Sequence, residues 1–261
     1  MSHRPRKRFG QNFLVDRFII ANIIAAIAPQ PGERMVEIGP GQGALTALLL
    51  DRLDHLDVVE VDRDLCAELV TRFPADKLTI HQGDALEFDF GSLPGPLRVV
   101  GNLPYNISTP ILFHLGSYAT HCLDLHFMLQ EEVVERMAAA PSSAAYGRLS
   151  VMLQYRFKVE RLFGVPPEAF KPAPKVHSAV VRLQPLSDAE RGARGLAKDE
   201  ARFAAVVTAA FTQRRKTLRN ALSSAVSPET LGQLGIDAGL RPENLSVKDY
   251  AVIADAVAGC G

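Results

Sequence analysis

Between residues 34 and 53 the chain passes from a short apolar stretch, Arg34–Ile38, through Gly39-Pro40-Gly41-Gln42-Gly43 to a leucine-rich stretch, Ala44–Leu53. The first stretch reads as a strand. The last reads as a helix with Leu45, Leu48, Leu49 and Leu53 on one side. Strand, glycine-rich turn and helix in that order open a nucleotide-binding βαβ unit. Glycines let the backbone approach a ligand where any Cβ would clash. Gly39, Gly41 and Ala44 satisfy the relaxed dinucleotide fingerprint, so the loop alone leaves the ligand open. Glu37 at the strand end would repel a pyrophosphate and would suit a ligand carrying a cationic ammonium and sulfonium. Pro40 stiffens the loop and removes a backbone donor. S-adenosylmethionine fits this loop better than NAD.

Further strands are expected near Asp57, Lys77, Leu97 and Cys122, with helices between them. Thr109-Pro110 reads as a helix start, Thr109 as cap and Pro110 in the first turn. Lys158–Val165 and Val176–Gln184 read as two consecutive strands. The pattern predicts a mixed sheet with helices on both faces. After Gln184 the reading is helical: Asp199–Thr212, Arg214–Val226, Pro228–Leu234 and Val247–Ala258, the last capped from Asn244-Leu245-Ser246. The expected fold is therefore α/β, a Rossmann-like S-adenosylmethionine-binding domain over residues 1–186. A small all-helical domain over residues 187–261 follows. It lacks glycine loops and strand signals, which suits a module that positions substrate.

Three further segments carry chemistry. Val58-Val59-Glu60-Val61-Asp62 is a strand ending in acids. In doubly wound folds an acid at the end of the second strand accepts bonds from ribose hydroxyls, and Glu60 is assigned that role. Asp62 is read as the cap of a helix beginning near Asp64. In Gly83-Asp84-Ala85, Asp84 is placed to accept a hydrogen bond from an adenine amino group, although a turn acid would look the same. Asn102-Leu103-Pro104-Tyr105 follows the strand Leu97–Gly101. It sets an amide, two backbone carbonyls and an aromatic face at a strand end, suited to gripping the exocyclic amino group of a flat nitrogenous ring. The tetrapeptide resembles the signature of amino-group methyltransferases.

Composition sets bounds. The chain has 261 residues, an apolar fraction of 47% and a formal charge of zero. Cys66, Cys122 and Cys260 show no metal-ligand spacing and suggest a reducing compartment. No apolar run spans a bilayer and the start lacks a signal core, so a cytoplasmic location with no membrane association is expected. The seven histidines show no cluster, and no metal is expected. Charge distribution says more than the total. Arg4, Arg6, Lys7 and Arg8 form one basic block, within a tail of about residues 1–10. Arg214, Arg215, Lys216 and Arg219 form another. Either block alone reads as a solvated surface run. Together, flanking a base-modifying core, they point to RNA phosphates.

In addition, the chain resembles the ribosomal RNA adenine dimethyltransferase family, in its bacterial small-subunit branch. The resemblance runs nearly end to end. It covers Arg8–Leu14, the cofactor loop Glu37–Thr46, the catalytic loop Asn102–Ser108, the second substrate motif Phe170–Ser178 and the basic segment Arg214–Asn220. It implies S-adenosylmethionine as cofactor and transfer to N6 of two adjacent adenosines near the 3′ end of small-subunit ribosomal RNA, in a pre-ribosomal 30S particle. A monomer with no obligate protein partner is expected. Asn12 and Leu14 would line the cofactor from a lid segment, beside Gly39, Gly41, Glu60, Asp84 and Asn102. The catalytic set would be Asn102, Leu103, Pro104, Tyr105 and Phe170, with Tyr105 and Phe170 on opposite faces of a flipped-out base. The lesser alternative for Phe170 is a core aromatic between strands. Lys171 and Lys175 could meet phosphates. Two alternatives stay open: a large-subunit adenine dimethyltransferase conferring antibiotic resistance, and a non-catalytic assembly or transcription factor on the same fold.

Overall fold

The computed structural model of the chain describes residues 11–213 and 215–257. Two compact units are present. One holds the described residues up to Val134 together with Val159–Pro185. The other holds Glu135–Lys158 and the residues from Leu186 onward.

The first unit begins with a two-residue strand, β1 (Phe13–Leu14), and helix α1 (Arg17–Ile27). The Asp16 carboxylate caps α1 by accepting from the backbone N–H groups of Phe18 and Ile19. Ile20, Ile23 and Ile27 recur at helical spacing and are buried. Strands β2 (Arg34–Ile38), β3 (Leu56–Glu60) and β4 (Leu78–Gln82) alternate with helices α2 (Ala44–Leu50) and α3 (Arg63–Arg72). Then come β5 (Leu97–Asn102), α4 (Ser108–Gly116), β6 (Cys122–Gln130) and α5 (Glu131–Ala138). After α6 (Arg148–Gln154), the chain adds β7 (Phe157–Val165), the two-residue β8 (Phe170–Lys171) and β9 (Ser178–Pro185).

Among the described residues, seven strands form one sheet in the order β4-β3-β2-β5-β6-β9-β7. The pairs β3–β4, β2–β3, β2–β5 and β5–β6 are parallel, and β6–β9 is antiparallel. This is the mixed sheet that the sequence predicts. The central strands are apolar on both faces, as a sheet covered by helices on each side requires: Met35, Val36, Ile38, Val58, Val99 and Val100 are all buried. The chain first builds outward from β2 through β3 to β4, then returns to β5 on the other flank of β2. Ligands bind at such reversals, outside the carboxyl ends of the strands. The amino end of β5 carries a different feature. The Arg98 guanidinium grips both oxygens of Asp124 at 2.9 Å, Glu33 at 2.7 Å and the carbonyl of Ile27 at 2.6 Å. This buried cation is fully partnered and lies at the end of the sheet away from the reversal crevice.

The second unit gains helices α7 (Asp188–Arg194), α8 (Glu200–Thr212), α9 (Leu218–Ala221), α10 (Pro228–Gln233) and α11 (Val247–Val257). Its core holds Tyr146, Tyr155, Phe203, Leu218, Leu222 and Tyr250. Tyr155 and Phe203 stack with ring centres 4.0 Å apart. The buried hydroxyls of Tyr146 and Tyr250 donate to the carbonyls of Leu245 and Pro242.

The structure departs from the sequence reading at several points. Residues 135–158, read as part of the first unit, pack with the helical one, because Tyr146, Val151 and Tyr155 bury in its core. The expected helix Arg214–Val226 shrinks to Leu218–Ala221. The reason is that the N–H groups of Leu218 and Arg219 donate to the carbonyls of Leu240 and Ala238, so a neighbouring loop takes the place of a preceding helical turn. Ile107, rather than Thr109, occupies the cap position of α4, and Thr109 and Pro110 lie inside its first turn. Helix α7 has no counterpart in the sequence reading, although Ser187 and Glu190 form a reciprocal capping box that the sequence spells out.

Candidate functional site

A cavity opens at the carboxyl ends of β2, β3 and β5. Asn12, Leu14, Gly39, Gly41, Glu60 and Asp84 line it, as do Asn102, Leu103, Pro104, Tyr105 and Phe170. Residues spread from 12 to 170 in sequence thus meet at one place.

The glycine turn between β2 and α2 forms one wall. Gly41 has φ +56°, and a Cβ there would sit 3.2 Å from the ring of Phe13. The close approach of turn and ring requires glycine. Just before Asn102, a Cβ on Gly101 would lie 2.5 Å from the carbonyl oxygen of Ile38, so glycine lets β5 lie tight against β2.

Glu37, next to last in β2, has its side chain buried, and its carboxyl group accepts a 2.6 Å hydrogen bond from the Thr46 hydroxyl. Burial pushes its pKa up to about 7, against the Thr46 hydrogen bond and with help from the Glu60 charge. Glu60 closes β3. One of its oxygens accepts from the Gly41 N–H at 3.2 Å and the other from the Asp62 N–H at 2.9 Å. Burial raises its pKa too, partly offset by these backbone donors. Asp62 caps α3 by accepting from the Asp64 N–H and also accepts from the side-chain amide of Gln11 at 3.2 Å. Asp84 accepts from the Leu86 N–H at 2.9 Å, which fixes the turn after β4.

The loop after β5 forms the facing wall. The side-chain nitrogen of Asn102 donates to the carbonyl of Asn12 at 3.1 Å. The N–H of Leu103 donates to Met128 on β6. Tyr105 is half-buried, and its hydroxyl shares a 2.7 Å hydrogen bond with Ser178. Segment 11–14 crosses the cavity as a strap. Phe13 pairs with Lys171 and Leu14 with Phe170 in an antiparallel ribbon.

Phe170 is only 3% exposed and belongs to the hydrophobic core. It borders the cavity as part of a packed wall, next to Leu14, its partner in the ribbon. Phe13 also borders the cavity. Ser178 ends the second substrate motif, but only the strand register reveals that it meets Tyr105. Lys171 and Lys175 are exposed, as are Arg215, Lys216 and Arg219 in the helical unit. Arg4, Arg6, Lys7, Arg8 and Arg214 lie outside the described residues.

A parallel-centred sheet with a glycine turn and strand-end acids at its reversal point, facing an Asn-Leu-Pro-Tyr loop, defines an S-adenosylmethionine-dependent amino-group methyltransferase. The chain belongs to the ribosomal RNA adenine dimethylase family, whose profile matches residues 2–258. It is an enzyme acting on ribosomal RNA, with S-adenosylmethionine as methyl donor. The chain is 62% identical over 251 residues to the ribosomal RNA small subunit methyltransferase A of Thiobacillus denitrificans, covering 96% of this chain and 97% of the relative. It is 59% identical over 254 residues to the protein of the same name from Chromobacterium violaceum, covering 97% and 95%. Among solved structures, a dimethyladenosine transferase from Plasmodium falciparum superimposes with a TM-score of 0.78 at 24% identity, covering 92% of this chain and 95% of that one. The 23S rRNA methyltransferase ErmE superimposes with a TM-score of 0.71 at 25% identity, covering 95% and 100%. Both share the fold.

Proposed function

We propose that this enzyme transfers methyl groups to N6 of two adjacent adenosines near the 3′ end of small-subunit (16S) ribosomal RNA, during ribosome assembly in the cytoplasm. The observation that carries the chemistry is the hydrogen bond from the Asn102 side-chain nitrogen to Asn12. With its nitrogen so engaged, the amide keeps its oxygen as the free acceptor at a cavity wall.

The residues fit the donor molecule. Glu60 uses one lone pair on each oxygen for backbone N–H groups and keeps others for two ribose hydroxyls. Asp84 keeps acceptor capacity for the adenine amino group. Gly39 and Gly41 admit the chain of the ligand close to the backbone. When bound, S-adenosylmethionine supplies an electrophilic methyl group on a sulfonium, which needs no metal for activation.

The target amino nitrogen is a poor nucleophile because its lone pair is delocalised into the ring. Asn102 Oδ1 and the Leu103 carbonyl accept its two hydrogens and favour a pyramidal nitrogen with its lone pair exposed. Pro104 keeps the loop stiff, and Tyr105 offers a ring face to the base. Holding the nitrogen in line with the methyl group can lower the barrier by roughly 7–11 kcal/mol. The target must leave its helix to reach the cavity. Lys171, Lys175, Arg215, Lys216 and Arg219 lie on exposed surfaces where phosphates can meet them.

The small-subunit assignment rests on relatives of that name at 59–62% identity over nearly the full chain, against 25% for the 23S enzyme. The test is to incubate the protein with labelled S-adenosylmethionine and undermethylated small or large subunits, then map the product. Two dimethyladenosines in small-subunit RNA are expected. Label confined to large-subunit RNA would refute the assignment, and no transfer to either would favour a purely assembly role.

A further inference from the structure

Ser178 is 1% exposed and opens β9 opposite Gln130, the last residue of β6. Its position is set twice by backbone. It closes the β6–β9 ladder, and the Glu131 N–H donates to the carbonyl of the preceding His177 at 3.0 Å. Because β9 runs antiparallel to β6, its first residue arrives at the end of the sheet where β5 delivers Asn102 to Tyr105. There the Ser178 hydroxyl meets the Tyr105 hydroxyl at 2.7 Å.

A tyrosine ring turns about two side-chain torsions, and its working face follows both. Tyr105 is anchored at its Cβ by the loop and at its far end by Ser178. The ring cannot swing without breaking a hydrogen bond that leaves two part-buried hydroxyls unsatisfied. Building the partner on a sheet strand, rather than on the loop itself, gives the ring a rigid reference.

We propose that Ser178 is a positioning residue for methyl transfer: through the Tyr105 hydroxyl it fixes the plane against which the target adenine lies. The proposal rests on the reading of Tyr105 as the stacking face. Ser178 itself touches neither substrate nor donor.

The test compares Ser178→Ala, Ser178→Thr, Tyr105→Phe, Tyr105→Ala and the double variant Ser178→Ala/Tyr105→Phe, assayed on undermethylated small subunits, with calorimetry of S-adenosylmethionine binding. Ser178→Ala and Tyr105→Phe should each lower kcat by roughly 3- to 10-fold, the range that one hydrogen bond spans, with donor affinity unchanged. The double variant should be no slower than the slower single one, since both remove the same bond. Ser178→Thr keeps the hydroxyl and should recover most of the rate. Full kcat in Ser178→Ala beside a crippled Tyr105→Ala would overturn the positioning role and leave the stacking reading intact. Near-normal Tyr105→Ala would sink the stacking reading itself. If Ser178→Ala does not fold, Tyr105→Phe breaks the same bond from the other end, and full kcat there would equally overturn the proposal.

Discussion

The hydroxyl of Thr46 donates a 2.6 Å hydrogen bond to the carboxyl group of Glu37, and neither side chain meets solvent. The cost of burying charge dominates, so Glu37 is held up to about 7 from an ordinary value of 4.5. Its folded value lies above its unfolded one. The associated stability is therefore complete below the ordinary value and is lost as pH rises through about 7. The shift corresponds to about 3 kcal/mol. Urea unfolding of the ligand-free protein should give a higher free energy at acidic than at mildly alkaline pH, and Glu37→Gln should flatten most of that slope. Glu60 is shifted the same way and should account for a remainder. A wild-type profile flat across this window would contradict the burial argument.

Glu60 bridges the glycine turn and the start of α3 through the Gly41 and Asp62 N–H groups. Glu60→Ala removes a charged acceptor for two ribose hydroxyls. Calorimetry should show S-adenosylmethionine binding weakened by roughly 1.5–3 kcal/mol. Unchanged affinity in a folded variant would reject the ribose assignment.

Asn102→Ala should retain RNA affinity and lose most methyl transfer, since its bond to the target matters as the nitrogen changes geometry. Asn102→Asp is the sharper variant. Its carboxylate would face the Asn12 carbonyl with no donor, which should loosen the strap. Protection of segment 11–14 from hydrogen exchange should fall in this variant. Unaltered protection would show that the bond to Asn12 does not hold the strap.

Much of this site could be read from the chain because its parts are local. A strand followed by Gly39-Pro40-Gly41, and acids at strand ends, sit within a few residues of the backbone that shapes them. What the sequence withheld is set by pairings between distant segments. The burial of Phe170 follows from its rung with Leu14, and the meeting of Tyr105 with Ser178 follows from the β6–β9 register. Neither leaves a local trace. The helix expected from Arg214 failed for a similar reason, since Leu240 and Ala238 take its first donors. By contrast, Leu218 and Leu222, four residues apart, face the interior as their spacing predicts.

Arg215, Lys216 and Arg219 are exposed around that short helix. Replacing all three with Gln should weaken RNA binding and lower its salt slope by about one unit for every phosphate no longer neutralised. Affinity for S-adenosylmethionine should stay the same. Filter binding across a salt series reads the slope directly, and an unaltered slope would assign these cations to structure instead.

The ribbon of Phe13–Leu14 with Phe170–Lys171 joins a segment near the start of the chain to one made much later. During synthesis the strap leaves the ribosome early and has no strand to pair with until β8 emerges. The cavity therefore cannot close on a partial chain, and assembling its roof carries the entropy of one of the longest loop closures in the first unit. A domain whose sheet core has formed can still be an open bowl. Closing that bowl requires that translation has passed β8, and placing Ser178 against Tyr105 requires β9 as well.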